Sequence, residues 1–153
     1  KIVLLSIGRR GTPRKLGVPG EEQSKVVYRL VDPAQYRNQH VLVVGGGNSA
    51  LEAALSISEE PGTTGTLSYR SKNFSKANQK LVDQLQTVED NGRINVLRKS
   101  TVKQIEKSSV TINEEEGELT IDNDGIIVCA GGILPTPMLK SLGVNIETKH
   151  GTF

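Results

Sequence analysis

Tryptophan is absent from this sequence, and cysteine and methionine occur once each. Two phenylalanines and three tyrosines are the only aromatic rings in 153 residues. So few rings provide no stacking platform for single-stranded nucleic acid. The formal charge of +2, with Lys and Arg scattered among Asp and Glu, gives no basic patch that would hold a phosphate backbone. The lone thiol, Cys129, excludes an internal disulfide framework and any cysteine-based zinc cluster. His40 and His150 are far apart and lack helical ligand spacing. No apolar run approaches the roughly 18–20 residues of a membrane helix, and the start carries no signal-peptide pattern. The expectation is a soluble, cytoplasmic protein with no structural metal, no membrane span and no nucleic-acid partner. Its length allows one domain with a genuine core.

Both ends are abrupt. "KIVLLSIG" opens at Lys1 inside an apolar run, and "ETKHGTF" stops without a closing element. These ends are expected of a segment taken from a longer protein.

Between the ends, Gly and Pro punctuate a regular succession of elements. Ile2–Gly8 reads as a buried strand, and the basic stretch "RRGTPRKLGVPGEE" as a connection. "SKVVYRLVDPAQYRNQ" is ambiguous, with room for a turn of helix before Pro33. His40–Val44 is short and β-rich, a strand buried on both faces. Asn48–Glu60 has helical apolar spacing and stops at Pro61-Gly62. "GTLSYR" reads as a strand, "SKANQKLVDQLQTVEDNG" as a polar amphipathic helix, and "INVLRK" as another strand. "TVKQIEKSSVTINEEEGELTID" alternates apolar and polar residues across two turn signals, the pattern of a three-stranded meander. Gly125–Gly132 is again an apolar strand ending in glycines.

The junction "VLVVGGGNSALEAAL" concentrates flexible residues between a strand and a helix. Gly45-Gly46-Gly47-Asn48-Ser49-Ala50 is a G-x-G-x-x-A turn, the dinucleotide fingerprint when it follows a buried strand inside a βαβ unit. Gly45 permits the tight turn, Gly47 lets a diphosphate approach the backbone, and Ala50 lets the helix lie close on the sheet. The first N–H groups of the helix, at the positive end of its dipole, would donate to the phosphates. Asn48 or Ser49 is expected to cap the same end. The bland alternative is a Gly-rich turn without a ligand. Together these elements predict an α/β protein: a Rossmann-like three-layer fold with a parallel central sheet and an antiparallel three-stranded β-meander.

The choice of nucleotide follows from the end of the next strand. NAD-binding domains carry Asp or Glu about 20 residues past the fingerprint, on the ribose hydroxyls. This sequence has Arg70 there and no acid until Asp83. A guanidinium suits a 2′-phosphate, and Lys72 or Lys76 would add charge. NADP(H) is therefore expected over NAD(H), against the alternative of a solvated loop cation.

These residues resemble the NADPH-binding domain of thioredoxin reductase-like FAD-dependent pyridine nucleotide-disulfide oxidoreductases. "LLSIGRRGTPRKLGVPGEE" is similar to the segment that leaves the FAD domain. "GGGNSALEAA" is similar to the family's G-G-G-[DN]-[ST]-A-x-E, and "SYRSKNFSKA", with Arg70, Ser71, Lys72 and Lys76, to its basic 2′-phosphate stretch. "VCAGGILPTP", with Ala130, Gly131 and Gly132, is similar to the strand that re-enters the FAD domain. The resemblance implies three parts: residues 1–35 leaving the FAD domain, 36–132 binding NADP(H), and 133–153 returning. It implies that Glu52 lies near the nicotinamide carboxamide, against the alternative of a first-turn acid favoured by the helix dipole. It also implies that Gly131, Gly132 and Pro135 lie near the domain junction, or else form a plain turn.

One departure matters. The family's C-x-x-C would fall near Tyr28-Arg29-Leu30-Val31, and no cysteine is there. Cys129, among Ile and Val, reads as a small buried hydrophobe. The pattern resembles dithiol-free relatives, the ferredoxin–NADP reductases and bacillithiol-disulfide reductases of this type. The implied reaction is hydride transfer from NADPH to an FAD held by the absent part of the same chain, with a disulfide, ferredoxin or flavodoxin as acceptor and a homodimer left open. The segment alone would bind nucleotide without turnover. The rival expectations are a thioredoxin reductase with its dithiol elsewhere, a nucleotide-sensing Rossmann module, and a scaffold with an empty fingerprint.

Overall fold

The computed structural model describes residues 12–147; the strand expected over Ile2–Gly8 lies outside them. In chain order the elements are β1 (Thr12–Pro13), β2 (Val26–Val27), a 3-10 turn (Pro33–Tyr36), β3 (His40–Val44), α1 (Asn48–Ser58), β4 (Thr64–Tyr69), α2 (Gln79–Asp90), β5 (Ile94–Arg98), β6 (Thr101–Ile105), β7 (Ser109–Glu114), β8 (Gly117–Asp122), β9 (Gly125–Val128), β10 (Gly132–Ile133) and α3 (Thr136–Ser141). They form two compact units. Residues 15–131 make the larger, and residues 12–14 with 132–147 belong to the smaller.

The larger unit has the Rossmann-like three-layer architecture. Its central sheet has the order β2-β9-β3-β4-β5 with every pair parallel. The alternation of side chains along buried strands divides the core in two. Val41, Val43, Ile127 and Leu67 face Ala50, Leu51, Ala54 and Ile57 of α1 and Leu85 of α2. Leu42, Ile126 and Val128 face Val102, Ile105, Val110 and Ile112 of the meander β6-β7-β8. The strands read as continuous apolar runs because both faces are covered.

Several boundaries differ from the sequence reading, each for a local reason. The polar helix starts at Gln79 because Asn78 caps it, its Oδ1 accepting from Lys80 N–H at 2.9 Å. The last strand of the sheet ends at Val128, four residues before Gly132. The ambiguous segment has no helical turn before Pro33. Val26–Val27 pairs with β9 as an edge strand, and the 3-10 turn begins at Pro33 itself. Proline's fixed φ suits the first helical position, and Asp32 Oδ1 accepts from Ala34 N–H at 3.0 Å.

The connection "GVPGEE" is anchored rather than loose. Glu21 accepts from the N–H groups of Leu16 at 2.6 Å and Gly17 at 2.7 Å, and from the Tyr28 hydroxyl at 2.8 Å. Burial pushes its carboxyl up, but these donors and the charge of Lys15 together hold it below the ordinary value. Gly20, at φ +84°, sits so close to the Ile105 carbonyl that a side chain there would overlap it. Gln23 Nε2 donates to that same carbonyl at 2.9 Å.

In the smaller unit, β1 and β10 form an antiparallel ribbon with Thr12 opposite Ile133. Five of its large apolar side chains, Ile133, Leu134, Met138, Leu142 and Val144, are exposed.

Candidate dinucleotide site

The chain leaves β3 into α1 at the carboxyl ends of the parallel strands. β4 lies on one side of β3 and β9 on the other, which makes this the switch point of the sheet. The three glycines there do different work. Gly45 has φ +146°, a conformation that side chains rarely adopt. Its N–H donates to Ser68 O at 3.0 Å, and a Cβ would come within 2.5 Å of the Cys129 carbonyl oxygen. Gly46 is buried, and a Cβ on it would overlap the ring of Tyr69. Gly47 has ordinary extended angles, φ −102° and ψ −180°, and a Cβ there would meet nothing within 4 Å. Ala50 is fully buried where α1 meets the sheet.

Gly47 is also the N-cap of α1, and no side chain caps that end. The expected cap by Asn48 or Ser49 is therefore not formed. Asn48 Oδ1 accepts instead from Asn78 N–H at 2.7 Å, and Ser49 is exposed. The first N–H groups of a helix have no partner within it. With no side-chain acceptor here and open space at Gly47, these residues fit a diphosphate.

Arg70 is exposed immediately after β4, and Lys72 and Lys76 are exposed in the loop that follows, with Ser71 half-buried between. None of the ion pairs among the described residues uses these three cations. The loop folds back on the glycine turn, and an isolated parallel bridge joins Lys76 to Gly47. Tyr69 and Phe74 stack at 4.9 Å and 13°. The Arg98 guanidinium lies 5.8 Å from the Phe74 ring centre, held by two 2.7 Å bonds to Glu89. Tyr69, Phe74, Asn78, Glu89 and Arg98 are not among the site residues expected from the sequence. Only Asn78, a cap residue ahead of a helical pattern, carried a local signal.

On the β9 side, Cys129 N–H donates to Val44 O at 2.7 Å, and Cys129 is half-buried. Burial, and after it the negative charge of Glu52, pushes the Cys129 thiol up from its ordinary value. Glu52 thus lies within electrostatic reach of the strand end. It belongs to the second turn of α1, since the first turn holds no acid, so the first-turn alternative for Glu52 does not apply. Ala130 packs on the meander side, and Gly131 is exposed at φ +87°. Gly132 and Pro135 belong to the smaller unit, in β10 and at the N-cap of α3. A separate cleft of about 390 Å³ lies at the opposite ends of the strands, lined by His40, Thr64, Thr66, Asn95, Thr120 and Asp122. None of the expected site residues lines it.

Where the dithiol motif would fall, Tyr28 bonds Glu21 and Val31 is 79% exposed. Among the described residues no group of His, Cys, Asp and Glu could hold a metal ion, and no helix is long and apolar enough to cross a membrane.

The family model described as "Pyridine nucleotide-disulphide oxidoreductase" matches residues 1–152. The chain belongs to this family. It is 30% identical to a ferredoxin–NADP reductase of Ignicoccus hospitalis, over 98% of this chain and 50% of that protein. Among solved structures it is similar to the bacillithiol disulfide reductase Bdr of Staphylococcus aureus, with TM-score 0.82 and 27% identity, over 89% of this chain and 42% of that one. It is also similar to a thioredoxin reductase of Streptococcus pyogenes, with TM-score 0.68 and 30% identity, over 80% of this chain and 42% of that one. The chain thus spans half or less of the length of these oxidoreductases.

Proposed function

We propose that this chain is the NADP(H)-binding part of a flavin-dependent oxidoreductase. The observation that carries the reading is the open position at Gly47, beside an α1 N-terminus that no side chain caps. The backbone N–H groups at the start of α1 would hold the diphosphate of the nucleotide, aided by the favourable end of the helix dipole. The Arg70 guanidinium holds the 2′-phosphate through its planar fork, with charge added by Lys72 and Lys76. Gly45, Gly46 and Ala50 shape the turn. Asn48, Ser49 and Ser71 border it, and Glu52, Ala130 and Gly131 border the nicotinamide half.

When bound, the cofactor supplies hydride transfer from nicotinamide to FAD. This chain's residues bind and orient the nucleotide; no side chain acts as acid, base or nucleophile. In this reading residues 36–132 hold NADP(H), while 1–35 and 133–153 connect to an FAD domain in the rest of the protein. The final acceptor is a ferredoxin, a flavodoxin or a disulfide, reached without a dithiol relay in this chain, which has no C-x-x-C. Names of the relatives that include ferredoxin–NADP reductase and bacillithiol disulfide reductase support these acceptor classes. By itself the chain binds nucleotide and turns nothing over.

A thermal melt of the purified chain tests the reading. NADPH at a hundredfold excess over its Kd should add about 2.7 kcal/mol of stability. An unchanged melting curve at millimolar NADPH contradicts it.

A further inference from the structure

Asn48 is the first residue of α1, yet its side chain does not serve its own helix. Its Oδ1 accepts from the N–H of Asn78, 30 residues away in sequence, at 2.7 Å. Asn78 is in turn the N-cap of α2. The bond therefore ties the start of one helix to the start of the next. A backbone donor at Asn78 also fixes which atom of the Asn48 amide faces it.

Residues 70–78 form no strand or helix apart from the Gly47–Lys76 bridge. Two side-chain anchors join that bridge in setting where this loop runs. Phe74, buried and stacked on Tyr69, holds its middle, and Asn48 holds its end. Between them lie Lys76 and Ala77, and on the near side of Phe74 lie Arg70 and Lys72. The Asn48 side chain is exposed, so this bond competes with water and contributes little to folding. Its effect is geometric: together with the Gly47–Lys76 bridge, it fixes the end of the cationic loop against the start of α1.

We infer that Asn48 is a positioning residue for nucleotide choice, holding the 71–78 loop so that its cations meet the ribose phosphate while the diphosphate rests on α1. The inference rests on the NADP(H) reading above. Asparagine suits the position chemically. Serine or alanine would not reach Asn78, and aspartate would reach it but place a negative charge beside the diphosphate.

The test combines nucleotide titrations with amide hydrogen exchange of the ligand-free chain, on wild type, Asn48→Ala and Asn48→Asp. Asn48→Ala should speed exchange at Asn78 and reduce the NADPH-to-NADH affinity ratio about twofold, the lower end of a hydrogen bond's net worth. Asn48→Asp should keep Asn78 protected and weaken both nucleotides alike, leaving the ratio near that of wild type, because both carry the same diphosphate. An unchanged ratio in Asn48→Ala overturns the inference: the side chain then serves the diphosphate or nothing. If wild type binds neither nucleotide, the NADP(H) reading fails first. If wild type prefers NADPH and only the Asn48→Ala ratio stays unchanged, that reading stands and the positioning role alone is lost.

Discussion

The ring of Tyr69 occupies the space into which a side chain on Gly46 would project. The ring cannot easily move aside, because it stacks on Phe74 at 4.9 Å and Arg98 lies over Phe74 in turn. Gly47, one residue on, faces open space with unstrained backbone angles. The two glycines should therefore respond oppositely to alanine. Gly46→Ala overpacks the turn and should cost about 1–3 kcal/mol of stability, read as a lowered denaturation midpoint. Gly47→Ala should leave stability within about 0.5 kcal/mol while weakening nucleotide binding at least tenfold, read by calorimetric titration. Equal losses of stability in both would contradict this division.

Glu21 makes acid sensitivity specific. Its carboxyl is held below the ordinary value by donors from Leu16, Gly17 and Tyr28 that outweigh the opposing effect of burial. A carboxylate with a depressed folded-state pKa contributes stability that is full above its unfolded value and is lost as pH falls through the folded one. Glu21→Gln should thus lower stability at neutral pH by about 1–3 kcal/mol and show a shallower decline than wild type below pH ~4. Parallel stability curves for the two proteins across that range would remove Glu21 as the cause.

Cys129 should behave as an inert thiol. Burial and the charge of Glu52 both disfavour its thiolate. Alkylation by iodoacetamide at pH 8 should proceed at least tenfold more slowly than for a free cysteine peptide, and Glu52→Gln should speed it modestly. Alkylation at the rate of the peptide would contradict the arrangement.

The sequence made the fold legible where patterns are local. Val41–Val44 declared itself by an unbroken apolar run, and the meander by alternation, because burial on two faces or on one leaves that mark in consecutive residues. The glycine turn was equally visible, since its spacing is a local requirement of strand, turn and helix. Contacts between distant residues left no such mark. Nothing near Asn48 announces that its amide belongs to Asn78, and nothing near Gly46 names Tyr69 as its neighbour. β2 was missed because two valines have no period, and the turn after Pro33 was placed before it because an isolated Asp-Pro signal marks a boundary without giving its direction. The roles of Gly46 and Gly47 separated only when their surroundings were known.

Selectivity at Arg70 tests the central claim most directly. It stands free of carboxylates among the described residues at the end of β4. NADPH and NADH are titrated by calorimetry into wild type and Arg70→Asp. The account predicts that wild type binds NADPH at least tenfold more tightly than NADH, and that the substitution abolishes this preference while leaving NADH affinity within about twofold. Equal affinity of wild type for the two nucleotides, or equal loss of both in Arg70→Asp, would contradict it.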